Sequence, residues 1–228
     1  MNAAIQSGKP KVAIVDFGAG NLFSIAQACA RSGLVGHVTS KAADLASADA
    51  VLLPGVGAFG QAMARLRESG LVDALRDYAH SGKPLVGICL GMQLFMTSSE
   101  EFGAHEGLGL IEGTVRRLPD SAHMPGLKVP NIGWRRIYPT AERNWTNTLL
   151  ETVDPGSYLY LIHSYYTAPA DRSVSIAETR YGNFTYCTAI NKDNLWAFQF
   201  HPEKSADVGI GIYKSLARRL TGTTPITR

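Results

Sequence analysis

The most informative stretch of this sequence is Leu85-Val-Gly-Ile-Cys-Leu-Gly91, an apolar run that ends in glycine, cysteine and glycine. Residues 85–88 predict a short buried strand, and Met92–Met96 has the composition of a helix. Between them lies the glycine–x–nucleophile–x–glycine spacing of a nucleophile elbow, a sharp strand-to-helix turn in which larger flanking side chains would clash. Cys89 is therefore a candidate nucleophile, at a helix N-terminus that favours the thiolate. The alternative is a buried core cysteine in a glycine-rich turn.

Short apolar strands alternate with helices around this segment. In the first half we predict strands at 12–15, 35–39, 50–53 and 85–88, and helices at Leu22–Arg31 and Leu66–Tyr78. This alternation is typical of an α/β fold with a parallel, doubly wound sheet, in which ligands bind at the carboxyl ends of the strands. Further strands, mixed or antiparallel, are predicted at 114–118, 128–137, 158–163, 174–180, 184–190 and 195–200, followed by a helix at Asp207–Leu220.

No long polar or Pro/Ser-rich stretch divides the 228-residue chain, so nothing in the sequence resembles a linker. We predict an N-terminal lead at 1–10, a single domain at 11–220 and a C-terminal tail at 221–228. A chain of this length buries roughly 70% of its unfolded surface when it folds as one unit, so it needs neither a disulfide nor a metal for stability.

Composition excludes several classes of function. The net charge is only +3, and the basic residues are scattered, which argues against nucleic-acid binding. No apolar run approaches the ~18 residues of a membrane span, and Met1–Lys11 lacks the apolar region of a secretory signal. The three cysteines fit neither a disulfide framework nor a zinc site, so a cytoplasmic protein with no metal and no cofactor is predicted. Cys29 and Cys187 lack flanking glycines and are predicted to be structural.

A histidine and a glutamate follow the last predicted strand, in His201-Pro-Glu203. In extended backbone, residues two apart point to the same side, so Glu203 can orient one imidazole nitrogen while the other faces a nucleophile. Pro202 restricts the backbone between them. A lone histidine at a strand end is usually structural, but the adjacent carboxylate and the cysteine elbow upstream favour a general base.

Pro54-Gly-Val-Gly57 directly follows the third predicted strand. Its small residues would let the backbone approach a ligand, and the N–H groups of Val56 and Leu90 are candidate donors of an oxyanion hole. An ordinary strand-to-helix turn is the alternative. Gly18-Ala-Gly20 is not a dinucleotide-binding motif, because the third glycine position holds Phe23 and Lys41 stands where an acidic residue is required.

The motifs at 87–93 (Gly-Ile-Cys-Leu-Gly-Met-Gln) and 199–205 (Gln-Phe-His-Pro-Glu-Lys-Ser) resemble those of class I, triad-type glutamine amidotransferases. The strings at 16–21, 54–57, 129–134 and 162–166 resemble, more narrowly, the glutaminase subunits of imidazole glycerol phosphate synthases. The resemblance covers about 11–220. It implies a flavodoxin-like amidotransferase fold and hydrolysis of glutamine through a cysteine thioester.

The resemblance also implies a role for each matching residue. Cys89 would be the nucleophile, His201 the general base and acid, and Glu203 its orienting partner. The oxyanion hole would be formed by Val56 and Leu90, and the substrate-binding residues would be Gly55, Gly57, Gln93, Ser164 and Tyr165. Ammonia would pass to a (β/α)8-barrel synthase subunit in a heterodimer, with Asn21, Trp134 and Lys192 on the docking face.

One segment departs from the family pattern. Where these subunits usually have Pro-His-Met-Gly-Trp-Asn, this chain has Pro-Asn-Ile-Gly-Trp-Arg, with substitutions at Asn131, Ile132 and Arg135. By the resemblance these positions lie toward the synthase, so they bear on the partner more than on the chemistry. Three alternatives therefore stay open: a paralogue that supplies ammonia to another synthase, such as one forming an amidino sugar; a different cysteine-elbow hydrolase; and a catalytically inactive binding module.

Overall fold

The computed structural model describes residues 8–222, so most of the predicted lead and tail lies outside the described range. The strands are β1 (Lys11–Val15), β2 (Val35–Thr39), β3 (Ala50–Gly55), β4 (Leu85–Cys89), β5 (Met96–Ser99), β6 (His105–Glu106), β7 (Ile111–Arg117), β8 (Asn131–Arg136), β9 (Tyr138–Pro139), β10 (Tyr158–His163), β11 (Tyr165–Pro169), β12 (Ser175–Tyr181), β13 (Phe184–Lys192) and β14 (Leu195–Phe198). The α-helices are α1 (Leu22–Arg31), α2 (Ala42–Ser47), α3 (Phe59–Glu68), α4 (Leu71–His80), α5 (Leu90–Leu94) and α6 (Ala206–Thr221), and 3-10 helices occupy Arg172–Val174 and Pro202–Lys204.

Eight strands form the main sheet, in the order β2-β1-β3-β4-β14-β13-β12-β9. The first five run parallel to one another, and β13, β12 and β9 extend the sheet antiparallel. This confirms the predicted α/β class, a mostly parallel sheet with an antiparallel extension. Because β3 and β14 flank β4, the residues that follow these three strands meet at one edge of the sheet.

Helices cover both faces of the parallel strands, and a separate apolar core forms on each face. Val12 and Ile14 of β1 enter the core formed with α1 and α6. Ala13 and Val15, which point the other way, enter the core formed with α2, α3 and α4. Since successive strand residues face opposite sides, burial on both sides requires the continuous apolar runs seen in the sequence.

Two smaller sheets, β10-β8 and β11-β7-β5-β6, lie outside the main sheet. Only Ser164 separates β10 from β11, so the chain passes there from one small sheet to the other. This passage lies at the end of β4, where the carbonyl oxygen of Ile162 is 3.8 Å from Sγ of Cys89. The small sheets therefore form one wall of the edge at which the cysteine lies.

The prediction of a single helix at Leu66–Tyr78 is wrong. The chain forms two helices, α3 and α4, which Ser69 and Gly70 separate. Gly70 has a φ of +68°, a left-handed conformation that glycine adopts readily. Leu66 and Leu75 still share one core, which explains why the apolar spacing continues across the break.

Helix α2 and the short strands β5, β6, β9 and β11 were not predicted. Across residues 8–222, no helix is long and apolar enough to cross a membrane.

Candidate active site

Cys89 occupies a sharp turn between β4 and α5. Its φ of 55° and ψ of −109° lie in a region that a non-glycine residue rarely adopts. The two neighbouring glycines are required by contacts: a Cβ on Gly87 would come within 2.7 Å of the carbonyl oxygen of Gly91, and one on Gly91 would collide with the carbonyl of Leu53. The glycine–cysteine–glycine pattern thus has the strained geometry of a nucleophile elbow.

The sulfur of Cys89 lies in a nearly enclosed environment, with 6% of the residue exposed. Its thiol donates to the carbonyl of Ile162 at 3.8 Å, and Sγ accepts an N–H from Gln199 at 3.8 Å. The Oε1 atom of Gln199 accepts, in turn, an N–H from Gln93 at 3.1 Å. Two amide side chains, one from α5 and one from the segment after β14, therefore fix the polar surroundings of the sulfur.

His201 and Glu203 form a buried pair beside this thiol. Nδ1 of His201 lies 2.7 Å from Oε1 of Glu203, and their side chains are 4% and 1% exposed. Burial alone lowers the pKa of His201, but its interactions with Cys89 and Glu203 outweigh this effect and raise that pKa to about 10. Among the described residues, Nε2 has no hydrogen-bond partner of good geometry, so it is free to exchange a proton.

The backbone that brings His201 and Glu203 together differs from the predicted one. Only His201 is extended, and Pro202–Lys204 forms a single turn of 3-10 helix. The hydroxyl of Ser205 holds this turn by donating to the carbonyl of His201 at 2.6 Å. Glu203, two residues after His201, therefore reaches the imidazole because the chain forms a tight turn that starts at Pro202, rather than because it continues as an extended strand.

A cavity of about 260 Å³ opens beside Cys89 at the carboxyl edge of the sheet. Its size suits a ligand of amino-acid dimensions. The lining brings together six further residues predicted from the sequence: Val56, Gly57, Leu90, Gln93, Ser164 and Tyr165. Residues far apart in the chain thus surround the nucleophile, as the fold requires of a site at a sheet edge.

The two candidate oxyanion donors belong to adjacent strand ends. Gly55, the last residue of β3, pairs in register with Cys89, the last residue of β4, although it does not line the cavity itself. A Cβ on Gly55 would come within 3.1 Å of Leu90, so a small residue allows this close approach. Beyond it, Val56 and Gly57 border the cavity opposite Leu90, and the φ of +105° at Gly57 favours glycine.

Sequence reasoning missed four residues of the cavity wall: Glu101, Pro130, Ile162 and His163. Glu101 is 8% exposed, and its Oε2 accepts the backbone N–H of Phe59 at 2.5 Å. No motif surrounds this glutamate, so only its burial, which the sequence does not reveal, distinguishes it from a surface carboxylate. Gln199 opens the motif at 199–205, but its side chain was missed as a site residue because its contact with Cys89 exists only in the folded chain.

An uncovered apolar surface lies next to the cavity, on one side of the β8–β10 pair. We call it the outer face, and it consists of Ile132, Trp134, Tyr158 and Ile162, which are exposed by 52%, 46%, 51% and 39%. In the register of the two strands, Ile132 pairs with Ile162, and Trp134 pairs with Tyr160. Tyr160 in turn lies 6.4 Å from the ring of His201. A contiguous apolar patch on a surface is typical of a protein–protein interface.

The residues predicted for docking do not all lie together. Trp134 belongs to the outer face, and Asn21 caps α1 just after β1, at the same sheet edge as Cys89. Lys192, in contrast, pairs with Leu195, which pairs with Leu85 at the start of β4. Lys192 is therefore at the opposite edge of the sheet, and placing it on the same docking face was wrong.

The expectation that all three departures from the family pattern point toward a partner is also wrong. Of these, only Ile132 lies on the outer face. Asn131 is fully buried on the inner side of β8, where its Oδ1 accepts from Nε of Arg135 at 3.0 Å. The guanidinium of Arg135 stacks on Tyr181 at 5.0 Å. Two of the three substitutions therefore form a pair inside the subunit.

Comparison with known proteins agrees with this geometry. The family model described as "Glutamine amidotransferase class-I" matches residues 13–210, and the chain belongs to that family. The imidazole glycerol phosphate synthase subunit HisH of Sulfurimonas denitrificans is 44% identical over 207 residues, 91% of this chain and 97% of the relative. The subunit of the same name from Syntrophotalea carbinolica is 43% identical over 206 residues, 90% and 98% of the two chains.

A solved structure supports the fold independently of close sequence similarity. PurLQS from Thermotoga maritima superposes with a TM-score of 0.68 at 17% identity, covering 93% of this chain and 99% of that one. An identity this low bears on the fold alone. The sequence relatives, at more than 40% identity over nearly their whole length, place the chain with the HisH group of the family.

Proposed function

We propose that this chain is the glutaminase subunit of an imidazole glycerol phosphate synthase in histidine biosynthesis. It would hydrolyse glutamine and pass ammonia to a (β/α)8-barrel cyclase subunit, in a cytoplasmic heterodimer. The observation that carries this proposal is the strained Cys89 thiol beside His201, whose ring Glu203 holds at 2.7 Å, on the wall of an amino-acid-sized cavity. The relatives' names support the pathway.

Thioester formation begins with a proton transfer. Nε2 of His201 takes the proton of Cys89, and the sulfur attacks the carboxamide carbon of glutamine. The N–H groups of Leu90 and Val56 stabilise the negative charge on the carboxamide oxygen. The imidazolium then returns the proton to the amide nitrogen, the C–N bond breaks, and ammonia leaves.

Hydrolysis of the thioester uses the same residues, with water as the nucleophile and the Cys89 sulfur as the leaving group. His201 takes a proton from water, and the oxygen attacks the γ-glutamyl carbon. The C–S bond then breaks, the sulfur recovers its proton from the imidazolium, and glutamate leaves. Glu203 accepts the Nδ1–H of the ring throughout and holds it in place, so Nε2 stays directed at the reacting atoms.

Recognition of glutamine is assigned to the far end of the cavity. Both amide protons of Gln93 are used, toward the carbonyl of Tyr165 at 2.9 Å and toward Gln199, which leaves Oε1 for the substrate. Glu101 supplies the negative charge that a substrate ammonium group needs. The backbone at Ser164 and Tyr165 supplies further polar contacts.

The outer face is the proposed docking site of the barrel subunit. It is apolar, and it borders the active site, because its Ile162 also accepts the thiol hydrogen bond of Cys89. A partner bound there would close the cavity on the side from which ammonia must leave. Since Asn131 and Arg135 point into the subunit, the family departures give little support to a different synthase as partner.

The test is release of glutamate from glutamine, measured with the chain alone and with the barrel subunit of an imidazole glycerol phosphate synthase and its substrate. We expect slow hydrolysis alone and stimulation on the order of a hundredfold by the loaded partner. Faster hydrolysis of a small aryl ester than of glutamine would instead indicate a different hydrolase. Failure of a diazo-ketone analogue of glutamine to label Cys89 in the complex would indicate an inactive binding module.

A further inference from the structure

A chain of buried and partly buried hydrogen bonds connects Arg135 with the wall of the proposed glutamine cavity. Nε of Arg135 lies 3.0 Å from Oδ1 of Asn131, and Nδ2 of Asn131 lies 2.9 Å from the hydroxyl of Tyr186. That hydroxyl lies 3.0 Å from Nε2 of His163, whose Nδ1 is 2.8 Å from the carbonyl of Tyr165. The mechanism proposed above uses none of the first four side chains.

The chemistry of the end groups fixes the direction of every bond. A guanidinium can only donate and a carbonyl can only accept, so Asn131 turns its oxygen to Arg135 and His163 carries its proton on Nδ1. Burial lowers the pKa of His163 to about 4, so the ring is neutral and Nε2 accepts from the hydroxyl of Tyr186. In all four hydrogen bonds the donor therefore lies on the side of the Arg135 guanidinium and the acceptor on the side of the cavity wall. Hydrogen bonds aligned in this way polarise and strengthen one another.

The carbonyl at the end of this chain belongs to the cavity. The Tyr165 oxygen also accepts an N–H from Gln93, and both residues line the space beside Cys89. Asn131 is fully buried, and Tyr186 and His163 are 3% and 5% exposed, so loss of one link leaves a buried polar group unpaired. The position of the Ser164–Tyr165 backbone thus depends on side chains to which the proposed mechanism assigns no contact with the substrate.

We propose that Arg135, Asn131, Tyr186 and His163 form a positioning network that sets the affinity of the cavity for glutamine. The inference rests on the proposed glutaminase function and adds a specificity determinant to it. The network ends at the residues assigned to the amino-acid portion of the substrate, and in the described part of the chain none of its four side chains is hydrogen-bonded to Cys89, His201 or Glu203. Its loss therefore affects substrate binding rather than attack by the thiolate.

The principal variant is Tyr186→Phe, which deletes one oxygen and breaks two links. In the complex with the barrel subunit, we expect KM for glutamine to rise about tenfold while kcat changes less than about twofold. The rate at which iodoacetamide alkylates Cys89, which requires no recognition of glutamine, should stay within about twofold of that of the unmodified chain. An unchanged KM, or a parallel loss of kcat and alkylation, would overturn the proposal.

Tyr78→Phe is the matched control, because Tyr78 is also 3% exposed and its hydroxyl donates to the carbonyl of Ala48, at 3.3 Å, far from the cavity. It should leave KM unchanged; an equal rise in KM would show a general effect of instability and contradict the proposal. Arg135→Met is a second variant, at a partly exposed position where the fold tolerates substitution, and we expect it to raise KM about threefold.

A double variant tests whether the residues act as one chain. If they do, Asn131→Ala combined with Tyr186→Phe should raise KM no more than the larger single effect, because one break already uncouples the network. Additive effects would show independent contributions and contradict it. Should the unmodified complex fail to hydrolyse glutamine, the proposed function itself is wrong; if that complex is active and KM is insensitive to Tyr186, only the network inference fails.

Discussion

The carbonyl oxygen of Ile162 accepts the thiol hydrogen bond of Cys89, with Sγ and O 3.8 Å apart. The same residue presents its side chain on the outer face, where 39% of it is exposed. A partner that moves this strand by a fraction of an ångström would therefore change the surroundings of the sulfur directly. The outer face and the nucleophile are separated by one residue, which would give a short physical route for stimulation by the proposed partner.

Replacement of Cys89 by alanine should abolish glutamine hydrolysis by the complex. We expect a loss of at least about a thousandfold, because no other group in the cavity can form the thioester. Cys187→Ala is the control, since that half-buried thiol lies in β13, and its activity should match that of the unmodified complex. Glutamate release measured enzymatically checks both variants; substantial activity in Cys89→Ala would disprove the mechanism.

Glu203→Gln should reduce kcat by about a hundredfold while leaving KM nearly unchanged. The amide keeps the shape of the side chain but loses the charge that stabilises the imidazolium of His201 and holds its tautomer. Because Glu203 raises the pKa of His201, the variant should also lower that pKa. Steady-state kinetics and histidine resonances in NMR spectra check these two effects, and an unaltered kcat would exclude the orienting role.

Turnover of the complex should fall at acid pH. Attack on glutamine requires a deprotonated sulfur, and uptake of a proton by the active site at low pH removes this nucleophile. Where uptake of this single proton limits the rate, we expect kcat/KM to decrease by about one decade per pH unit. A stopped assay from pH 5 to 9 is sufficient, and a flat profile over that range contradicts the assignment.

Stability should also depend on pH through His163. Its pKa falls from 6.5 to about 4 on folding, mainly by burial, so the unfolded chain binds more protons between these values. The free energy of unfolding therefore rises with pH across this window, and His163 accounts for about 3 kcal/mol of the change. Urea unfolding at pH 7.5 and 4 should show a smaller difference for His163→Gln than for the unmodified chain. The exposed His80→Gln should retain the full difference.

Trp134→Ala should weaken binding of the barrel subunit by about thirtyfold. Exposed aromatic residues at the centre of an apolar face commonly provide much of the binding energy, and here the indole packs edge-on against Tyr160 at 6.1 Å. Lys192→Ala serves as the control, because this residue lies at the opposite edge of the sheet. Titration calorimetry measures both affinities; equal effects of the two variants would mean that the outer face is not the docking site.

Local patterns were sufficient to predict most of the fold and the reacting groups. The helix at Leu22–Arg31 and the strands at Val35–Thr39 and Tyr158–His163 have the predicted bounds, because their apolar spacing and flanking turn residues agree. The elbow at Cys89 could be recognised because its strain permits only glycine at the flanking positions. In each case the residues that determine the local structure lie within one short segment of the sequence.

The remaining features depend on contacts between distant segments. Glu101 became a site residue only because folding buries it beside Cys89, and nothing in its own neighbourhood indicates this. His163 lies in the string at 162–166, but its place in the cavity wall depends on contacts that the string does not specify. Lys192 was misplaced because β13 runs antiparallel to β14, so its last residue lies at the edge where the parallel strands begin, and the sequence does not reveal this direction. The split of the helix at Gly70 required the actual left-handed φ, which a lone glycine within an apolar pattern does not specify.

The unequal exposure of the three tryptophans has a practical consequence. Trp145 and Trp196 are 5% and 3% exposed, whereas Trp134 is 46% exposed on the outer face. Burial by a bound subunit would shift the emission of one indole to shorter wavelength while the other two stay constant. The chain therefore contains its own optical probe of complex formation, and the docking equilibrium can be followed in solution without any attached dye.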